Sequence, residues 1–111
     1  MKWTEVCNLA DIQIGDMKEF DVSDVIVLVL RTADGAQVIP PHCPHMDECL
    51  INGIFDGETL TCTRHLWQWQ VSPWNGPMTS ETELDLARYC TKTVDGKLSV
   101  DIETGPVRDA G

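Results

Sequence analysis

Two short segments that each pair one cysteine with one histidine constrain this chain more than any other feature. Cys43 and His45 form the first pair, and Cys62 and His65 form the second after sixteen intervening residues. A sulfur and an imidazole two or three residues apart can reach one small object only where the backbone between them bends sharply. Residues suited to such bends lie in the same stretch: Pro44, Gly53 and Gly57. The pattern predicts two ligand-bearing loops that converge on one centre.

Two thiolates and two imidazoles fit two kinds of metal centre. A tetrahedral structural zinc ion accepts this set. A Rieske [2Fe–2S] cluster also accepts it, with both cysteines on one iron and both histidines on the other. Zinc modules usually pair like residues within a clip, whereas each clip here mixes them, so the mixed clips favour the cluster and leave a zinc-stabilised binding module as the alternative. His42 falls outside both clips and is predicted to be a loop residue near the centre, without a ligand role.

The clips Cys-Pro-His and Cys-Thr-Arg-His, at this separation, resemble those of the Rieske family. Leu66 and Trp67 follow the second clip, and His-Leu-Trp at this point is similar to the small Rieske ferredoxins of soluble di-iron monooxygenases that act on toluene-type aromatics or alkenes. The resemblance extends more loosely over nearly the whole chain. It implies one [2Fe–2S] cluster per chain and four ligands: Cys43, His45, Cys62 and His65.

The resemblance also implies an electron carrier that is not itself an enzyme. Electrons would come from a flavin-containing NADH reductase and pass to an oxygenase hydroxylase, with a di-iron aromatic or alkene monooxygenase as the first choice. The chain has no di-iron carboxylate set, no facial triad, no dinucleotide fingerprint and no flavin motif, so it cannot draw electrons from NADH or activate oxygen alone. Two further Rieske alternatives stay open: the ferredoxin of a ring-hydroxylating dioxygenase and the small subunit of a nitrite-reductase-like enzyme.

Four other residues are predicted to lie near the cluster: Trp67, Trp69, Pro73 and Trp74. High-potential Rieske proteins place hydroxyl donors where Trp67 and Trp69 stand. The loss of those donors, with ten net negative charges, predicts a potential in the lower half of the Rieske range. Either tryptophan could instead only pack beneath the cluster. Residues 72–77 are predicted by composition to be a loop, and by the resemblance to close over the cluster.

Three cysteines lie outside the clips: Cys7, Cys49 and Cys90. Arg64 stands where high-potential family members carry the second cysteine of a bracing disulfide, so that bridge cannot form. We therefore expect three free thiols, with Cys49 as a small buried side chain in the first loop.

The strand pattern predicts an all-β fold, one antiparallel domain spanning residues 1–111 with a cluster-binding lobe at residues 41–76, and this arrangement resembles the Rieske architecture. The continuous apolar run from Val25 is typical of a strand buried on both faces. Asp34-Gly35 and Asp95-Gly96 predict hairpin turns, and the tail from Glu103 is expected to be loose. The base strands are predicted at residues 3–7, 17–22, 25–31, 36–39, 87–94 and 97–102.

Charge and hydropathy narrow the class of partner. Eighteen acidic residues against eight basic ones disfavour binding to nucleic acid or to an anionic membrane surface. The N-terminus has no signal-peptide pattern, and the longest apolar run is too short to span a bilayer. We therefore expect a cytoplasmic monomer that does not bind membranes. Asp47 and Glu48, in the first cluster loop, are candidates for steering a redox partner.

Overall fold

The computed structural model describes residues 3–42, 49–63, 66–72, 74–77 and 86–107. Almost all regular structure in these ranges is extended. The strands are β1 (Trp3–Asn8), β2 (Met17–Val22), β3 (Val25–Thr32), β4 (Gly35–Ile39), β5 (Ile54–Phe55), β6 (Thr59–Cys62), β7 (Trp67–Val71), β8 (Trp74–Pro77), β9 (Thr91–Val94) and β10 (Lys97–Asp101). Single turns of 3-10 helix occur at Leu9–Asp11 and Leu50–Asn52. In the described part of the chain, no helix has the length and apolar character needed to cross a membrane.

The strands form three antiparallel sheets, with orders β1-β10-β9, β2-β3-β4 and β5-β6-β7-β8. The first two are called the base sheets, and the third is called the lobe sheet because all of it except Pro77 falls within the predicted cluster-binding lobe, residues 41–76. The predicted all-β antiparallel class is therefore confirmed.

Tight hairpins set the register of the base sheets. Ser23 and Asp24 both have positive φ between β2 and β3, and Asp95 and Gly96 repeat this between β9 and β10. Two consecutive positive φ values give a turn whose twist matches that of the flanking strands. The predicted Asp95-Gly96 hairpin is confirmed, and β2 pairs with β3 without a break.

Strand β3 supplies side chains to two separate cores. Val27 and Val29 join the base core, whose members are Ile12, Val22, Val27, Val29, Val38, Tyr89, Leu98 and Val100. Leu28 and Leu30 point the other way because side chains alternate along a strand. They join the shared core, whose members are Leu28, Leu30, Ile39, Leu50, Phe55, Leu60, Cys62, Trp67, Trp69, Val71 and Leu86. The predicted burial on both faces is confirmed for residues 27–30, whereas Ile26 is exposed.

The lobe sheet has one buried and one open face. Leu60, Cys62 and Trp69 alternate with Thr61 and Gln68, so the apolar side chains pack into the shared core while the polar ones stay partly exposed. Because register partners lie on the same face, the open face is held by polar cross-strand pairs. One such pair is a hydrogen bond of 3.3 Å from Gln68 Nε2 to Thr61 Oγ1.

The prediction of a loop over residues 72–77 is wrong from Trp74 onward. Trp74–Pro77 forms strand β8 and pairs with β7, with a register shift between Gln70 and Val71. A proline-containing segment can pair here because β8 is an edge strand, where the missing N–H need not face a neighbour. Composition alone indicated a loop because it did not register the available edge of β7.

The predicted strand 87–94 begins only at Thr91, because the residues before it pair elsewhere. Arg88 and Val107 exchange backbone hydrogen bonds of 2.9 and 3.0 Å, and Tyr89 N–H donates to the Val38 carbonyl at 2.9 Å. The tail was predicted to be loose from Glu103, and this is wrong as far as Val107, since the bridge to Arg88 holds it. The other base strands match their predicted bounds to within one residue at each end.

Candidate metal centre

The first ligand-bearing segment is closed at its base by backbone contacts. His42 and Cys49 form an isolated antiparallel bridge, and Leu50 N–H donates to the Pro41 carbonyl at 2.8 Å. The predicted ligands Cys43 and His45 fall between the bridge partners in sequence and lie outside the described residues. The two ends of the segment that carries them are therefore held side by side, as a loop that turns back on itself requires.

The second segment is a hairpin between β6 and β7. Cys62 is the last residue of β6, and its register partner is Trp67, the first residue of β7. The Cys62 side chain is only 2% exposed and forms no disulfide. The connection, residues 63–66, includes His65, which lies outside the described residues. Because strand pairing fixes the Cys62 backbone, its sulfur is held on the buried face of the lobe sheet.

The two segments meet at Gly53. A methyl group at this position would overlap the carbonyl oxygen of Thr61, the residue before Cys62, and would lie 3.1 Å from the Leu50 carbonyl oxygen. Only glycine permits so close a backbone approach. Leu50 is the first residue of the 3-10 helix Leu50–Asn52, which ends directly before Gly53. Its side chain is fully buried in the shared core. The end of the first loop and the strand that carries Cys62 therefore pack backbone against backbone.

The donor set and this packing fit a Rieske-type cluster. Each segment brings one thiol and one imidazole, and the contact at Gly53 brings the first segment against the strand that carries Cys62. A cluster of this type needs thiolates on one iron and imidazoles on the other. Within the described residues there is no group of three or more possible metal-binding side chains. Cys62 is the one predicted ligand that those ranges include.

Trp67 and Trp69 lie in the shared core beside Cys62. Their ring centroids are 6.2 Å apart at an interplanar angle of 71°, an edge-to-face arrangement. Trp69 is fully buried and pairs with Leu60, so packing accounts for its position. Trp67 is directly opposite Cys62, where register partners have Cβ atoms about 4.5–5.5 Å apart. Trp67 is thus the tryptophan placed to influence the Cys62 sulfur.

Trp74 pairs with Val71, at the end of β7 away from Cys62. Val71 is four residues beyond Trp67, about 13 Å along the strand. The Arg88 guanidinium stacks on the Trp74 ring at 4.6 Å, and the buried Trp74 Nε1 has no hydrogen-bond partner among the described residues. Trp74 therefore joins the lobe sheet to the segment before β9.

The predicted closing segment at residues 72–77 is only partly described. Pro73 lies outside the described residues. The part of this segment that returns toward the β6–β7 connection is its C-terminal end, where Pro77 pairs with Trp69.

The cysteines outside the clips are free thiols, as predicted: Cys7, Cys49 and Cys90. Cys49 is half-buried instead of fully buried, because its bridge to exposed His42 holds it near the surface. Burial, and secondarily the nearby Asp11 carboxylate, raise the pKa of the Cys7 thiol. Cys7 therefore stays protonated and unreactive at neutral pH.

Two features around the second segment were not predicted. Gly53 was assigned only a turn role, because no sequence signal distinguishes a glycine that permits a backbone contact from one that permits a turn. In the sequence Leu66 contributes only to the family resemblance, yet in the structure it has a positive φ of 57°. A leucine in that backbone region is unusual, because side chains other than glycine crowd the following carbonyl oxygen.

Comparison with known proteins identifies the same type of metal centre. Residues 2–85 match the family described as the Rieske [2Fe-2S] domain. The methanesulfonate monooxygenase ferredoxin subunit of Methylosulfonomonas methylovora is 40% identical over 99 residues, covering 88% of this chain and 79% of the relative. The ferredoxin component of the alkene monooxygenase system of Xanthobacter autotrophicus (strain ATCC BAA-1158 / Py2) is 25% identical over 107 residues, covering 96% of this chain and 86% of the relative.

A solved structure agrees with the fold. A chain from the complex of reduced oxygenase and oxidized ferredoxin in carbazole 1,9a-dioxygenase superposes with a TM-score of 0.74 at 25% identity, covering 88% of this chain and 91% of that chain. The predicted Rieske-type [2Fe–2S] cofactor is confirmed by the family match, which also rules against the structural zinc ion. The predicted role as an electron carrier and not an enzyme is confirmed by the ferredoxin relatives. This chain belongs to the Rieske [2Fe–2S] family.

Proposed function

We propose that this protein is the ferredoxin of a multicomponent monooxygenase, and that it carries single electrons from a flavin-containing NADH reductase to the oxygenase component. The observation that carries the proposal is the 40% identity, over 88% of this chain, to a protein named as a monooxygenase ferredoxin subunit. The alkene monooxygenase ferredoxin supports the same reaction class. The two relatives are named for different substrates, so monooxygenation is the common element. Within it, we propose a di-iron oxygenase for an alkene or aromatic substrate, as the His-Leu-Trp resemblance implies.

The proposed ligands are Cys43, His45, Cys62 and His65. When bound, the cluster supplies a centre that accepts and releases one electron. The chain supports this by fixing Cys62 at the end of a paired strand and by closing the first segment through the His42–Cys49 bridge. We propose further that residues 1–111 form one domain in which residues 41–76 are the cluster-binding lobe.

The proposed partners follow from charge as well as from the relatives. Eighteen acidic residues against eight basic ones suit transient, steered encounters with basic protein surfaces and disfavour nucleic acid. We propose that the protein works as a cytoplasmic monomer, because a carrier that visits two partners in turn needs its cluster end free for each.

A second candidate is the ferredoxin of a ring-hydroxylating dioxygenase. It is favoured by the likeness to a chain of the carbazole 1,9a-dioxygenase complex, in which ferredoxin is bound to oxygenase. The two candidates share the same cofactor and direction of electron flow, and they differ in the acceptor.

Reconstitution tests the proposal in two stages. The purified holoprotein should contain two irons and two acid-labile sulfides and should give, on reduction, a Rieske-type electron paramagnetic resonance signal with average g below the free-electron value. The reduced protein is then mixed in a stopped-flow instrument with three oxidised oxygenase components, from an alkene monooxygenase, a methanesulfonate monooxygenase and carbazole 1,9a-dioxygenase. Fast electron transfer to a monooxygenase component is expected. Preference for the dioxygenase component would establish the second candidate, and a colourless zinc protein would overturn both.

A further inference from the structure

Leu66 has a backbone conformation that its side chain disfavours. Within the described residues, four non-glycine residues have positive φ: Ser23, Asp24, Leu66 and Asp95. Serine and aspartate suit such turns because their short polar side chains can bond to the local backbone. Leucine has no polar atom that could compensate. Leu66 is therefore the exception among the four.

The fold gains little from the Leu66 side chain. It is 67% exposed, more than any other large hydrophobic side chain in the described part of the chain. A glycine here would relieve the backbone and remove the exposed apolar surface at once. Leu66 combines a strained backbone with an exposed apolar side chain that adds little packing. This combination indicates a role other than stabilising the fold.

Leu66 lies beside a proposed cluster ligand, and electron transfer requires the partner to approach the cluster. Leu66 is in the β6–β7 connection, directly after the proposed ligand His65 and before Trp67, the register partner of Cys62. On the open face of the lobe sheet, the described residues closest to this end are uncharged. They form a row across three strands, Ile54, Thr61 and Gln68.

The charged residues that the structure describes in the lobe sheet lie at its other end. Asp56 and Glu58 are exposed in the β5–β6 turn. The four residues of β6, about 10 Å of strand, separate them from the end near Leu66. Among the described residues of the lobe sheet, those at the end near Leu66 therefore present no charge to a partner that docks there.

We propose that Leu66 is an apolar anchor that inserts into a recess on the oxygenase component when the two proteins exchange an electron. This inference rests on the proposed function, because it takes the oxygenase as the partner. The likeness to a chain of a solved oxygenase–ferredoxin complex favours that partner over the reductase. Few interface residues carry most of the binding energy, and a protruding apolar side chain at the centre of a contact is well suited to be one of them.

Stability measurements on the holoprotein separate strain from contact. Leu66→Ala keeps the unfavourable backbone and removes the anchor, whereas Leu66→Gly removes both. We expect Leu66→Gly to melt at a higher temperature than Leu66→Ala, the reverse of the usual order in regular structure. Both variants should keep the reduction potential and the electron paramagnetic resonance spectrum of the parent protein.

Electron-transfer rates then test the contact. With whichever oxygenase component accepts electrons from the parent protein, both variants should show about a tenfold lower second-order rate, as expected when an interface anchor is removed. Leu66→Met should retain most of the rate, and Val94→Ala, at a residue 57% exposed on β9, should change nothing. The loss should persist at high salt, because an apolar contact is not screened.

The outcomes are distinguishable. If the parent protein reduces none of the oxygenase components, the proposed function fails. If the parent reduces one of them and Leu66→Ala does so equally fast, the anchor is overturned while the function stands. If Leu66→Ala slows reduction by the reductase and leaves transfer to the oxygenase unchanged, the assignment of the partner is wrong.

Discussion

Cys62 and Trp67 face each other across the end of the β6–β7 hairpin, and both side chains point into the shared core. This pairing places an indole where high-potential Rieske proteins have a hydroxyl donor. It leads to a first prediction about the reduction potential.

Replacing Trp67 with leucine should raise the reduction potential. The smaller side chain admits water near the Cys62 sulfur, and hydrogen bonds to cluster sulfur favour the reduced state. Voltammetry on the holoprotein measures the shift. Trp69→Phe is the matched control, because Trp69 is fully buried on the same face of β7, two residues beyond Trp67, and pairs with Leu60 instead of Cys62. An unchanged potential in Trp67→Leu would reduce Trp67 to a packing role.

Substitution should distinguish the two proposed ligand histidines from His42. His45→Ala or His65→Ala should bleach or rearrange the cluster, because each removes a proposed ligand. His42→Ala should keep the visible and electron paramagnetic resonance spectra, because His42 is not a proposed ligand and alanine preserves its backbone bridge to Cys49. Loss of the Rieske signal in His42→Ala would contradict this assignment.

Gly53→Ala should destabilise the protein and reduce its cluster content. The added methyl group overlaps the Thr61 carbonyl oxygen, so either the Leu50–Asn52 turn or strand β6 must shift. Overpacking of this kind typically costs about 1–3 kcal/mol. Thermal unfolding and iron analysis of the purified variant measure both effects. Asn52→Ala, at an exposed neighbouring position, should be close to the parent in both.

Asp56 gives a prediction about pH. Its Oδ1 accepts hydrogen bonds from Thr59 N–H at 2.7 Å and Glu58 N–H at 2.9 Å. These bonds, that from Thr59 first, hold the pKa of the Asp56 carboxyl below its ordinary value. The folded pKa is depressed, so the stabilisation is fully present above the unfolded pKa of about 3.9 and is lost as pH falls through the folded value.

Asp56→Ala should therefore lower stability by about 1 kcal/mol at pH 7, by the loss of these turn hydrogen bonds. The difference from the parent should be the same at pH 5 and pH 7, and should shrink below about pH 4. Melting temperatures across this series provide the test. A difference that already declines between pH 7 and pH 5 would mean that another group is responsible.

The sequence predicted those parts of the molecule that local signals determine. Alternating and continuous apolar patterns located β2 and β3 to within a residue, and Asp95-Gly96 located a hairpin turn. The proposed ligand clips were identified from residue type and spacing, and they remain a prediction. Each of these features depends on residues that are close together in the chain.

The missed features depend on contacts between strands and segments, which local residue preferences do not record. Strand β8 pairs because β7 offers an open edge, which composition does not record. Val107 is held by Arg88, nineteen residues earlier, and Gly53 is required by the Thr61 carbonyl group on β6, eight residues later. In each case the observed structure depends on a contact that forms only in the folded chain, and the residue types in the segment do not indicate that contact.

The double burial of β3 has a consequence for engineering and for evolution. Leu28 and Leu30 complete a core whose other members come mostly from residues 50–71, so a lobe cut out at its predicted boundaries would leave that core open on one side. The metal-binding part of this chain therefore cannot be moved alone into another protein with its core intact. A graft that preserves it must carry β3 and β4 along, and variation in β3 is constrained from two directions at once.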